Sequence, residues 1–188
     1  KASSALLRCL PDRPRPFKVL DVGSGPGRNA VALARRGCSV TAVDRASSAV
    51  QQLQKRSRRE GLPVHTRCCD MRDLEFEAAS FHMVVAVTVL GHLDEEELVS
   101  FGGRVSRWLK PGGLLFAEEF STEDPGCGAR AEASEYAPLV RKYFTPEELE
   151  RLFPSLQCTE SSLLRVSDRT HGQPHQHGLV RLVARKPS

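Results

Sequence analysis

The sequence predicts an α/β domain: one mixed sheet of seven strands, the last antiparallel, with helices on both faces. Three observations carry this. An apolar run at residues 17–22 leads straight into Gly23-Ser24-Gly25-Pro26-Gly27 and then a helical stretch, the pattern of a buried parallel strand turning into a helix. Strand-length apolar runs then alternate with helical patterns as far as residue 153, the order that builds parallel strands through crossover helices. The last two strand-like runs, 156–166 and 179–185, have only a polar connection between them. With no helix to cross over, they must pair antiparallel.

Each element has its own signal. Ala5, Leu6, Leu7 and Leu10 read as the last turns of an amphipathic helix, which Pro11, Pro14 and Pro16 end and replace with a linker. The strand at 17–22 follows, with Asp21 at its carboxyl end. Residues 29–36 form a helix with Ala30, Val31, Leu33 and Ala34 apolar, and Gly37 stops it. A second strand at 38–43 ends at Asp44. The helix at 47–60 stops at Gly61-Leu62-Pro63, and a third strand at 64–69 ends at Asp70. Residues 73–79 are loop. The run at 81–87 is nearly all apolar, as a central strand should be.

Asp94 caps the next helix and Glu97 completes a capping box. Leu98, Phe101, Val105, Trp108 and Leu109 lie on its core face. Pro111-Gly112-Gly113 turns into a strand at 114–118. Residues 121–135 are rich in Gly, Ser, Asp and Glu without periodicity, which predicts a long loop suited to a lid. Thr145-Pro146-Glu147-Glu148 combines a Thr cap, Pro at the first helical position and a closing Glu. Leu149, Leu152 and Phe153 face the core. Residues 167–177 read as a polar, histidine-rich connection.

Composition bounds the function. The 188 residues suffice for one domain with a proper core, and residues 1–188 are read as a single domain. The net charge of +4 is spread along the chain, so nucleic acid is not an expected partner. Lys55-Arg56-Ser57-Arg58-Arg59 suits the solvated end of a helix. The six cysteines show no C-x-x-C pair and no zinc spacing, so no metal site is expected. Thiols in apolar runs fit a reduced, cytoplasmic protein. No run is long and apolar enough to span a membrane. The chain begins at Lys1 rather than Met, which points to a native N-terminus further upstream.

The glycine loop leaves two cofactor classes open. Alternate glycines let a ligand approach bare backbone, and the helix behind points its free N–H groups at it. Gly25-Pro26-Gly27-Arg28-Asn29-Ala30 fits the dinucleotide pattern, and Asp44 stands where a ribose-binding acid is expected. Nicotinamide or flavin dinucleotides and S-adenosylmethionine both suit it. A doubly wound dinucleotide domain, however, would end in parallel strands rather than a hairpin.

Four pieces in order carry a family likeness: Leu20-Asp21-Val22-Gly23-Ser24-Gly25-Pro26-Gly27, Val40-Thr41-Ala42-Val43-Asp44, Cys69-Asp70-Met71 and Leu109-Lys110-Pro111-Gly112-Gly113. Together with the closing hairpin they resemble the class I S-adenosylmethionine-dependent methyltransferases over essentially the whole chain. The resemblance implies a Rossmann-like sheet and S-adenosyl-L-methionine as cofactor. It implies binding by Asp21, Gly23, Ser24, Gly25, Gly27, Arg28, Asn29, Asp44, Arg45, Asp70, Met71 and Val87. In it Asp21 sits near the cationic amino-acid end, Asp44 accepts from both ribose hydroxyls, Asp70 meets the adenine amino group, and Met71 flanks the ring.

Within that superfamily the chain looks like the tellurite-resistance methyltransferases and related small bacterial-type enzymes. Gly27-Arg28-Asn29, Val64-His65-Thr66-Arg67 and the ending Arg181-Leu182-Val183-Ala184-Arg185-Lys186 carry this. One departure counts against tellurite itself: Asp168-Arg169-Thr170 stands where those enzymes have His-Arg-Thr.

Methyl transfer from a sulfonium needs alignment and water exclusion more than acid–base help. A small-molecule acceptor is expected, a soft nucleophile such as a tellurite, selenite, arsenic or thiol compound suiting the absence of an obvious base. Arg169, His171 and His175 are the expected catalytic residues, with His92, Glu118, Glu119 and His177 as further substrate-side candidates and Cys127 in the lid. The alternatives are an S-adenosylmethionine-binding protein without catalysis and a dinucleotide-dependent oxidoreductase.

Overall fold

The computed structural model describes residues 3–10, 17–128, 142–168 and 175–188. The expected linker at Pro11, Pro14 and Pro16 lies outside them. In chain order the elements are α1 (Ser4–Arg8), β1 (Phe17–Val22), α2 (Arg28–Arg35), β2 (Cys38–Asp44), α3 (Ser47–Arg59) and β3 (Val64–Cys68). There follow β4 (Phe81–Val87), α4 (Glu95–Trp108), β5 (Leu109–Phe120), α5 (Pro146–Arg151), β6 (Gln157–Asp168) and β7 (His175–Arg185).

The strands form one seven-stranded sheet in the order β3-β2-β1-β4-β5-β7-β6. β1 pairs in parallel with β2 and β4, β2 with β3, and β4 with β5. β7 runs antiparallel to both β5 and β6. The mixed Rossmann-like sheet expected from the sequence is therefore present, and its closing hairpin departs from a doubly wound dinucleotide domain.

Strand alternation sends neighbouring side chains into two separate cores. Leu20, Val22, Val84, Ala86, Leu115 and Ala117 pack with Phe101 and Trp108 from α4, Leu149 from α5 and Phe153 just after it. Val19, Val40, Met83, Val85 and Phe116 pack with Leu6, Leu33 and Leu53 from α1, α2 and α3. Helices thus cover both faces. Each large apolar side chain buried this way contributes roughly 1.5–3 kcal/mol. Both capping boxes form: Asp94 with Glu97 opens α4, and Thr145 with Glu148 opens α5.

Two boundaries differ from the sequence expectation. Of the polar connection expected at 167–177, the described residues 167–168 and 175–177 are strand, because β6 and β7 continue pairing to Val166↔His177 and Asp168↔His175. A hairpin ladder needs only backbone, so polar side chains can extend it where they face water. β5 also starts early, at Leu109. Leu109 pairs with Phe81, an irregularity absorbs Pro111-Gly112-Gly113, and the register resumes at Met83↔Leu114.

Candidate active site

The site forms where β1, β2, β3 and β4 end, the edge at which open α/β sheets bind ligands. A cleft of about 230 Å³, open at its mouth, is lined by Gly23, Val43, Asp44, Arg45, Cys69, Asp70, Met71, Arg72, Val87, Thr88, Val89, His92 and Leu93. Six of the expected cofactor residues lie in it: Gly23, Asp44, Arg45, Asp70, Met71 and Val87.

The glycine loop closes one side. Gly23 has φ +66°, and a Cβ there would sit 2.4 Å from Val89 Cγ2, so both conformation and packing require glycine. Ser24 N–H donates to Val43 carbonyl at 2.9 Å. Asp44 Oδ2 accepts from Gly25 N at 2.7 Å and Oδ1 from Ala46 N at 2.8 Å. Asp44 therefore holds the loop against β2 while its carboxylate lines the cleft. Ser24, Gly25, Gly27, Arg28 and Asn29 are not among the lining residues, and Arg28 is exposed.

Asp21 is 1 % exposed. Burial pushes its pKa up to about 7; the Ala30 backbone hydrogen bond and the Arg28 charge pull it down, and the Asp44 charge raises it. Asp21 Oδ2, Ser24 Oγ and Asn29 Oδ1 are buried without a hydrogen-bond partner in the protein. Buried oxygens of this kind carry a cost unless something donates to them. A ligand with an ammonium group and hydroxyls supplies such donors, so these residues fit S-adenosylmethionine.

The opposite wall is held by contacts distant in sequence. Arg72 donates from Nη1 to Asp70 Oδ2 at 2.9 Å, from Nε to Glu97 Oε1 at 2.6 Å and from Nη2 to His92 carbonyl at 3.2 Å. Asp70 Oδ1 also accepts from Arg72 N at 2.9 Å. After β4, Thr88 adopts φ 52°, a left-handed conformation that costs a β-branched residue about 1–3 kcal/mol. Its N–H donates to Glu118 carbonyl at 2.7 Å. Glu119 Oε1 accepts from Val89 N at 2.9 Å and Leu90 N at 2.8 Å.

The substrate-side candidates fall in different places. His92 lines the cleft. Glu118 and Glu119 do not. Glu118 is buried in an ion pair with Arg181, 2.7 Å from Nε and 2.6 Å from Nη2, and accepts from Ser3 Oγ at 3.2 Å. Glu119 is occupied by the loop amides. Arg169 and His171 lie outside the described residues. His175 is exposed on β7, away from the cleft lining, with its Nε2 3.0 Å from His177 Nε2. The described part of the expected lid, residues 121–128, is a set of tight turns around Asp124; Cys127 is exposed in it. Among the described residues no group could hold a metal ion, and no helix is long and apolar enough to cross a membrane.

The sequence reading missed Val43, Cys69, Arg72, Thr88, Val89 and Leu93 in the cleft, and Asp124 beside His177. Arg72 had one local signal, since it follows Asp70 by two residues. Thr88 and Val89 had another, as the residues directly after a central strand.

Comparison with known proteins agrees with this geometry. Residues 19–113 match a family model described as a methyltransferase domain. A ubiquinone biosynthesis O-methyltransferase of Methylocella silvestris is 34% identical over 150 residues, covering 73% of this chain and 57% of the relative, so the chain spans little more than half of that protein. An S-adenosylmethionine-dependent methyltransferase from Methanosarcina mazei superposes with a TM-score of 0.79 at 24% identity, over 99% of this chain and 98% of the other. TehB from Haemophilus influenzae superposes with a TM-score of 0.73 at 21% identity, over 91% of this chain and 58% of that one. The chain belongs to the methyltransferase-domain family and has the fold of the S-adenosylmethionine-dependent methyltransferase that it superposes on.

Proposed function

We propose that this chain catalyses S-adenosylmethionine-dependent methyl transfer to a small-molecule acceptor, as a single methyltransferase domain. The observation that carries it is the pair of carboxylates Asp44 and Asp70, which line one cleft where β2 and β3 end, with Asp21 buried near the end of β1. The cofactor supplies an electrophilic methyl on a sulfonium sulfur. The chain's own groups bind and orient. Asp44 offers its carboxylate to the ribose hydroxyls, Asp70 to the adenine amino group, and Met71 an apolar flank. Asp21 sits beneath the loop as counter-charge for the ammonium. Val89, His92 and Leu93 form the wall that keeps water from the transfer.

The Methylocella relative's name refers to O-methylation in ubiquinone biosynthesis, which supports a small organic acceptor here. TehB shares the fold with this chain, and the expected tellurite-type acceptor rests on the sequence resemblance alone.

The test has two arms. Calorimetry with S-adenosylhomocysteine should give micromolar binding that Asp44→Ala weakens at least tenfold, about 1.4 kcal/mol. Unchanged affinity in the variant overturns the assignment of Asp44. A turnover assay reading S-adenosylhomocysteine release over phenols, thiols and selenite separates an enzyme from a binding protein, which would bind the cofactor and release nothing.

A further inference from the structure

We propose that Arg72 is the positioning residue of base recognition: braced by Glu97, its guanidinium fixes the Asp70 carboxylate as an acceptor, and so makes the cleft choose a 6-amino purine over a 6-oxo purine. The proposal rests on the cofactor reading above and deepens it, since that reading gives the adenine amino group to Asp70 and no part to Arg72.

Both oxygens of Asp70 are held by one residue. Oδ1 accepts from Arg72 N at 2.9 Å, and Oδ2 accepts from Arg72 Nη1 at 2.9 Å. A backbone amide and a guanidinium only donate, so the carboxylate meets the cleft as an acceptor in a set orientation. Arg72 is itself fastened at both ends. Its backbone carbonyl accepts from Arg104 Nη1 of α4 at 2.6 Å. Its Nε donates to Glu97 Oε1 at 2.6 Å, and its Nη2 donates at 3.2 Å to the carbonyl of His92, which ends the short turn Leu90–His92. Glu97 is fixed in turn, because its Oε2 accepts from Asp94 N at 2.9 Å in the capping box that opens α4. The order of control therefore runs from α4 to Glu97, from Glu97 to Arg72 and from Arg72 to Asp70. Arginine suits this place, since one planar fork serves acceptors on three separate segments, which a lysine ammonium does not.

Stability does not account for the cluster. Asp70, Arg72 and Glu97 are all partly exposed, and ion pairs in that setting contribute little. What the cluster fixes is direction. The place also suits a base. Asp44 pairs with Cys68 at the end of β3, and Cys69 N donates to Asp44 carbonyl at 3.1 Å. Asp70 and the buried Met71 come next, and Asp44, Asp70, Met71 and Arg72 all line the cleft. A ribose bound at Asp44 thus has its base beside Met71 and Asp70.

The amino group of adenine donates to the fixed acceptor. A 6-oxo purine brings a carbonyl oxygen to the same point, where acceptor meets acceptor and the hydrogen bond is lost. A carboxylate free to turn would yield to that oxygen, and the two bases would be told apart less well.

Calorimetry on the full chain with S-adenosylhomocysteine and its 6-oxo analogue, S-inosylhomocysteine, tests this. The readout is the ratio of the two dissociation constants. If Arg72 only supported the wall, its loss would weaken both ligands together and leave the ratio alone. Wild type should favour S-adenosylhomocysteine about 100-fold, the strength of a hydrogen bond to a charged group. Arg72→Gln should cut that ratio about tenfold, and Arg72→Lys, which keeps the charge without the fork, about threefold. Asp70→Asn, whose amide can donate to a 6-oxo group, should bring the ratio close to one. A wild-type ratio in both Arg72 variants, with a fallen ratio in Asp70→Asn, overturns the role of Arg72 and leaves Asp70 reading the base unaided. Arg72→Lys decides this alone where Arg72→Gln does not fold. Equal binding of the two ligands by wild type, or an unchanged ratio in Asp70→Asn, overturns base selection at Asp70 and the proposal with it, while the cofactor reading stands. Failure of wild type to bind S-adenosylhomocysteine overturns that reading as well.

Discussion

Asp21 is a carboxylate on which folding and ligand binding pull in opposite directions. Burial raises its pKa from 3.8 to about 7, so the folded chain keeps a proton that the unfolded chain releases above about pH 4. The unfolded state then binds fewer protons, and stability falls as pH rises from about 4 through 7. Asp21→Asn removes that penalty. The variant should be more stable than wild type at pH 8, by on the order of a few kcal/mol, with the advantage gone near pH 4. Urea unfolding at the two pH values checks this. The same change deletes the counter-charge beneath the loop, so affinity for S-adenosylhomocysteine at pH 8 should drop about tenfold or more. A variant that is less stable at pH 8, or that binds equally well, contradicts the role. This part of the site was legible in the sequence because it is local: strand, glycine loop and terminal acid are contiguous, and their spacing alone brings them to one edge.

At the scale of elements, the wall after β4 depends on β5. Glu119 Oε1 holds the Val89 and Leu90 amides, and Glu118 carbonyl holds the strained Thr88. Glu119→Ala leaves two amides without their acceptor and should cost about 2–3 kcal/mol. With Val89 released from Gly23, cofactor affinity should fall as well. Glu119→Gln keeps an acceptor oxygen in place and should lose far less; equal losses in the two variants would show that charge, not the acceptor, matters. Packing between helices sets a second requirement. A Cβ on Gly102 of α4 would lie 2.0 Å from Leu152 carbonyl. Gly102→Ala, which intrinsic helix propensity favours, should instead lower the unfolding free energy by about 1–3 kcal/mol. None of this was legible beforehand. Glu119 read as a substrate-side acid because its partners lie 29 and 30 residues away, and Asp124 stayed unnoticed because its histidine lies 53 residues on. Periodicity reports which face a residue takes, not which distant backbone it meets.

At the scale of the molecule, the order of strands is what separates the two cofactor classes that the glycine loop leaves open. The β5-β7-β6 edge is antiparallel, and it was readable because a hairpin without a helix admits one pairing. Its extension to His175 was not, since polar residues at 167–177 look alike in loop and strand. The consequence is a discrimination that can be measured on the whole chain. S-adenosylhomocysteine at about 100 times its Kd should stabilise the fold by about 2.7 kcal/mol. For a chain of this size each kcal/mol raises Tm by roughly 2–4 °C, so the midpoint should rise by roughly 5–11 °C. NAD at the same concentration should leave it in place, because the strands beyond β5 form an antiparallel edge rather than the parallel second mononucleotide half that a dinucleotide spans. Asp44→Ala should shrink the S-adenosylhomocysteine shift, since ribose recognition is lost while the sheet is not. A rise with NAD equal to that with S-adenosylhomocysteine would return the loop to the dinucleotide class and remove the basis for methyl transfer.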